Sequence, residues 1–195
     1  MNFLSKKTES AARLLFKQGF ITTGPKDFQI EGWAPGMRIT TLDYITFYSQ
    51  WRPRDMVNFV QQCTEKQLNL NPHSKISRQA ILAASREFSE YLLQETLDEG
   101  HTLINGLQDI TNGIASIGKV VLREEDLERL CETALRSGEQ IFGTTDEIIE
   151  VLYDLCIIGL PKTDGTGFKY QGGKFRRGSE YVVHRGLLKA LALRP

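Results

Sequence analysis

REEDLERLCETALRSG, residues 123–138, is the stretch on which the fold turns. Leu127, Leu130, Cys131 and Ala134 recur at the three- and four-residue spacing that puts them on one side of a helix. Glu124, Glu125 and Asp126 occupy the first turn, where the helix dipole favours anions; Arg136 falls in the last turn, and Gly138 is placed to stop it. Thr144-Thr145-Asp146-Glu147 follows with the Ser/Thr-x-x-Glu spacing of a capping box. It predicts a second helix that carries Leu152, Leu155 and Ile158 and stops at Gly159. Beyond it, a turn over 161–167 and a glycine-rich turn through Gly178 bound a strand at 168–170, and the alternation in Tyr181-Val182-Val183-His184 predicts another strand. A short final helix is expected over 186–193. Two helices followed by a two-stranded ribbon with basic tips is the order of a winged helix, whose second helix and wing usually meet a partner.

Upstream the pattern is helical. Ser77 opens a helix to Gly100, with Ile81, Ala84, Phe88, Tyr91 and Leu92 on one stripe. A softer helical segment over 103–117 contains Gly106 and Gly113, each costing about 1 kcal/mol relative to alanine, so it needs tertiary support. Met56, Phe59, Val60 and Cys63 give the helix that follows Arg52-Pro53-Arg54 its apolar side, and Asn71-Pro72 ends that section, because the residue before proline is driven out of the helical region. Residues 40–47 suit a short helix or a strand, with helix the favoured reading; a loop is expected at 19–36 and a short amphipathic helix at 7–18. The expected fold is mostly α (α+β): a helical section over 1–72, connecting helices over 73–120, and a winged-helix-like domain with a small β-hairpin over 121–195.

With 41% apolar and 25% charged residues, the 195-residue chain has the composition of a globular protein able to bury a core. Its 24 basic and 24 acidic residues cancel, which excludes a bulk attraction to nucleic acid or anionic membrane. The cancellation is not local. Residues 121–154 hold ten acids against three bases, whereas 160–195 hold two acids against eight bases. Lys162, Lys169, Lys174, Arg176, Arg177, Arg185 and Lys189 are interleaved with Phe168, Tyr170 and Phe175, a composition suited to phosphate contacts beside stacking ones. The same residues suit a hairpin kept soluble by its charges, or one received by the acidic helices of its own chain. An acidic second helix would repel DNA, so in a nucleic-acid complex the wing would have to lead.

Cys63, Cys131 and Cys156 stand apart among apolar neighbours and read as small core side chains in a reducing compartment. The first twenty residues lack the apolar block of a secretion signal, and no segment approaches the about 18 apolar residues of a membrane span. A cytoplasmic protein is expected.

Catalytic patterns are missing. A phosphate-cradling loop needs Gly-x-x-x-x-Gly-Lys-Ser/Thr; in GTGFKYQGGKF, residues 165–175, Phe168 stands where the first glycine belongs and Phe175 replaces the hydroxyl. His73, His101 and His184 are single, without metal-ligand spacing, and no serine or cysteine has an identifiable base beside it. The chain reads as a non-enzyme with no metal and no cofactor of its own.

Arg52 and Arg54 break a local rule, since cations at a helix start are unfavourable by a few tenths to ~1 kcal/mol. An anion would resolve the conflict by drawing the free amides and both guanidinium groups to itself. Asp55 offers the other resolution: it suits the helix start and can pair with either arginine.

WRPRDMVNFV, residues 51–60, resembles the Arg-Pro-Arg-Asp helix in the lid of bacterial P-loop ATPases of the AAA/STAND-like type, where a helical lid is followed by more helices and a winged helix. DLCIIGL and YVVHRGLLKAL, residues 154–160 and 181–191, resemble the close of such proteins. The resemblance covers residues 40–193. It implies that Arg54, with Arg52 as a second candidate, senses the terminal phosphate of a nucleotide held by a separate core, so that ATP is met only together with a partner. The phosphate loop and magnesium-binding strand that precede such a lid do not occur in this chain. The expected role is therefore a regulatory, non-catalytic module that meets an ATPase core or another protein, and nucleic acid through Lys162, Lys169, Lys174, Arg176, Arg177 and Arg185, with oligomerisation open to it. The competing expectation is a purely protein-interaction module in which the acidic helices over 123–158 dock a partner.

Overall fold

The computed structural model describes residues 28–29, 38–50, 52–137, 143–161, 168–169 and 175–193, and divides into two units, Met1–Leu92 and Leu93–Pro195. The expected helix at 7–18 lies outside the described residues. Unit 1 contains a two-residue antiparallel pair, β1 (Phe28–Gln29) and β2 (Arg38–Ile39), with Phe28 opposite Ile39; β1 falls inside the stretch read from sequence as loop.

The helices of unit 1 start where side chains satisfy the first backbone amides. Thr40 caps α1 (Thr41–Tyr48), accepting from the Asp43 N–H at 3.1 Å, while the Asp43 carboxylate accepts from the Thr40 N–H at 3.4 Å. This reciprocal box makes 41–48 helical despite its β-branched content. Helix α2 (Pro53–Leu70) has proline in its first turn, and buries Met56, Phe59 and Cys63 on the stripe their spacing predicts. Helix α3 (Arg78–Gly100) buries Ile81, Ala84, Phe88 and Leu92. Phe59 and Phe88 stack with centroids 4.2 Å apart and planes within 9°, and Tyr44 lies 6.4 Å from Phe59. The turn from α2 into α3 is organised by one buried amide. Gln67 donates from Nε2 to the Asn71 carbonyl at 3.0 Å and to Ser74 Oγ at 2.6 Å, and accepts from the Ser77 N–H at 2.9 Å.

In unit 2, helix α4 (Leu107–Ile117) buries Leu107, Ile110, Thr111 and Ile114. Gly106 lies outside it, as a left-handed N-cap at φ 97°, and Gly118 closes it at φ 71°. Gly113 is where α5 comes close: a Cβ there would lie 2.4 Å from a Leu130 methyl. Strand β3 (Val121–Arg123) leads into α5 (Glu124–Ser137), which buries Leu127, Cys131 and Ala134 of the predicted stripe and leaves its fourth member, Leu130, half-buried. Thr144 and Glu147 form the predicted capping box, and α6 (Thr145–Asp154) buries Ile148, Ile149, Leu152 and Tyr153.

The end of α6 corrects the sequence reading. The helix stops at Asp154; Leu155 is its C-cap and Cys156 turns left-handed at φ 59°, so Ile158 enters a strand, β4 (Ile158–Pro161). The β-branched pair Ile157-Ile158 fits a pleated, buried surface better than a last helical turn. With β5 (Phe168–Lys169) and β6 (Glu180–Val183) it builds an antiparallel sheet of order β3-β6-β4-β5, where Leu122 faces Tyr181 and Gly159 faces Val182; the expected two-stranded ribbon of β5 with β6 does not form, because β4, read from sequence as the end of a helix, lies between them and pairs with both. Strand β3 carried too few residues to register as a period-two pattern. The expected final helix is instead a single 3-10 turn, Arg185–Leu187, followed by turns. The fold is mostly α with a small antiparallel sheet, α+β as the periodicities require. Among the described residues no helix is long and apolar enough to cross a membrane.

Candidate functional site

The start of α2 gathers the residues that break the local charge rule. Arg52 is the N-cap, in extended conformation at φ −90° and ψ 128°, with no side-chain cap bond, and Pro53 follows at the first helical position. Asp55, in the first turn, is wholly buried, and Arg54 Nε lies 3.6 Å from its Oδ1 while the Arg54 side chain stays 57% exposed. A buried carboxylate here meets the positive end of the helix dipole. The exposed guanidinium shares that carboxylate and keeps an open side toward solvent. Just before the helix, Gln50 is buried in the left-handed region at φ 50°, its amide atoms making no hydrogen bond.

The second candidate lies in unit 2, where the acidic and basic parts of the chain meet. Arg177 stands just ahead of β6. Its Nε pairs with Glu124, its Nη2 with Glu128 and its Nη1 with Asp146, so each nitrogen type holds a different carboxylate. The first two acids belong to α5 and the third to α6; Glu124 and Asp146 lie in first turns, where the dipole already favours them, and Glu128 follows one turn further along α5. Two backbone bonds hold the approach: the Glu124 N–H donates to the Ser179 carbonyl at 3.0 Å, and the Gly178 N–H to Tyr181 Oη at 3.3 Å. Burial pushes the Tyr181 phenol above its ordinary value, an effect that the Gly178 bond opposes.

The other basic residues are placed differently. Arg176 is exposed. Arg185 is 7% exposed, inside the 3-10 turn that His184 caps by accepting the Gly186 N–H on Nδ1 at 3.1 Å. Lys169 lies in β5, and Lys162 and Lys174 lie outside the described residues. Phe175, read as a stacking residue, packs on Tyr153 with centroids 5.6 Å apart.

Helix α6 shows one feature that spacing alone displays and the sequence reading passed over. Asp146, Glu150 and Asp154 recur every four residues and are all exposed, so three carboxylates line one outer face. Like charges at that spacing cost a few tenths of a kcal/mol per pair. Arg177 answers the first of them only.

Residues 12–97 match the family model of the FunZ-associated C-terminal helical domain. No curated protein and no solved structure matches the chain. The matched stretch contains α1, α2 and most of α3, with Arg52 and Arg54 inside it, and it supports a helical domain that accompanies a larger system, hence an accessory module.

Proposed function

We propose that this chain is a non-catalytic accessory module that docks a basic protein partner through the acidic outer face of α6 and the adjoining start of α5. The observation that carries this reading is the exposed row Asp146, Glu150 and Asp154. The order α4-β3-α5-α6-β4-β5-β6 supports a winged-helix organisation for unit 2, in which α6 takes the place of the helix that ordinarily meets the partner. A helix with three outward carboxylates there repels phosphate and attracts lysine and arginine.

A second reading, phosphate sensing by Arg54 and Arg52 against a nucleotide-bearing partner core of the ATPase type, is favoured by the exposure of Arg54 at a helix start. Nucleic-acid contact through the hairpin rests on the exposed Arg176. The readings separate in one titration series. A labelled oligo-arginine peptide is expected to bind the full chain at low ionic strength, to be released as salt rises, and to bind several-fold more weakly to the Glu150→Gln, Asp154→Asn double variant. Short duplex DNA under the same conditions is expected not to bind. Salt-sensitive duplex binding, with peptide binding unchanged in the double variant, overturns the protein-partner reading in favour of the hairpin.

A further inference from the structure

Arg177 and Arg176 are adjacent, equally charged and both exposed, yet only Arg177 is engaged, with all three nitrogen types of its guanidinium paired. The carboxylates it holds are no isolated set. Asp146 is the first member of the outer row on α6 and remains 60% exposed, while Glu124 and Glu128, at 32% and 35%, bring in the start of α5. A guanidinium of the segment leading into β6 is thus seated on the corner of the face at which a basic partner would arrive.

We propose that Arg177 is an autoinhibitory latch. It occupies in cis carboxylates that an arginine-bearing partner segment would use, so latch closure and docking exclude one another. This rests on the docking reading given above. The physical basis is competition between two guanidinium groups for the same oxygens. The internal one is favoured by proximity, because the bonds at Ser179 and Tyr181 hold its backbone beside α5. The external one is favoured by the number of carboxylates it can use, since the row continues through the exposed Glu150 and Asp154, neither of which is among the acids that Arg177 holds. The pairs are partly solvated, so the latch is weak enough to be displaced. Opening it also releases the side chain that ties the segment ahead of β6 to α5 and α6.

The test compares neighbours of equal charge. Arg177→Gln and Arg176→Gln each remove one positive charge from the same place, so general attraction for a basic probe rises equally in both. With the oligo-arginine peptide at low ionic strength, Arg177→Gln is expected to bind about fivefold more tightly than Arg176→Gln, the ratio corresponding to ~1 kcal/mol. Equal affinities of the two variants overturn the latch. Arg177→Lys keeps the charge but loses the planar fork; it carries the test if Arg177→Gln does not fold, and peptide affinity no higher than that of the unaltered chain overturns the proposal. The Glu150→Gln, Asp154→Asn pair tells the two ideas apart. If it weakens peptide binding while Arg176→Gln and Arg177→Gln stay equal, docking stands and the latch falls; if no variant binds the peptide, both fall.

Discussion

Arg54 and Asp55 are neighbours at one helix start with opposite fates: the guanidinium is 57% exposed and the carboxylate wholly buried. Their contributions to stability should differ accordingly. Arg54→Ala removes one partly solvated pairing and is expected to change the unfolding free energy by less than ~1 kcal/mol. Asp55→Ala removes a wholly buried anion from the positive end of the helix and is expected to cost more, up to ~2 kcal/mol, measured by denaturant titration. If instead Arg54→Ala is the costlier change, the arginine is a structural element and not a residue held ready for an anion. The sequence showed both residues and the conflict between them. It did not show which would be buried, because that depends on neighbours distant in the chain. The same holds for Gln67, an unremarkable polar residue at the end of a helical pattern that becomes the organiser of a turn by reaching Ser74 and Ser77. Arg177 was one of several hairpin bases in the sequence; folding singled it out by bringing Glu124, Glu128 and Asp146 to it.

Among the elements, those with a chemical start signal were the most legible. Thr144 with Glu147 located the start of α6, and the stripe of Leu127, Cys131 and Ala134 located α5. The end of α6 was not legible, since nothing in Leu155-Cys156-Ile157 punctuates the chain as glycine or proline would; the sheet, by pairing Ile158 with Val183, decides it. Strand β3 owes its existence to β6 in the same way. The end of α4 does have its glycine. Gly118 sits at φ 71°, with only the Ala115 carbonyl oxygen, 4.0 Å away, near the place of an added Cβ, so its role is conformational and not steric. Gly118→Ala is therefore expected to destabilise unit 2 by about 1 kcal/mol without altering its packing, as read from the unfolding midpoint together with unchanged secondary-structure content.

Across the whole molecule, net neutrality concealed a separation of charge that was already countable in the sequence, and the fold uses part of it internally through Arg177. The thiols give a second molecule-wide property. Cys63 in one unit and Cys131 in the other are buried, and loss of solvation pushes both up to about 12 from an ordinary 9.0. In the unfolded chain they ionise near 9, whereas in the folded chain they remain protonated. The stability tied to their burial is thus intact below about pH 9 and declines as pH rises toward 12, by up to about 1.4 kcal/mol per pH unit for each thiol. Urea unfolding followed between neutral and alkaline pH is expected to show this loss, and a Cys63→Ala, Cys131→Ala variant to lose stability less steeply. Equal slopes would mean that the thiols titrate alike in both states.

The division at Leu92 and Leu93 has an optical corollary. Both indole side chains, Trp33 and Trp51, belong to Met1–Leu92, and Leu93–Pro195 contains only phenolic and phenyl chromophores. Emission excited beyond the tyrosine band therefore watches one half of the chain alone, while far-ultraviolet dichroism watches both. Whether the halves melt together or in succession can be read from the unaltered polypeptide, with no label attached.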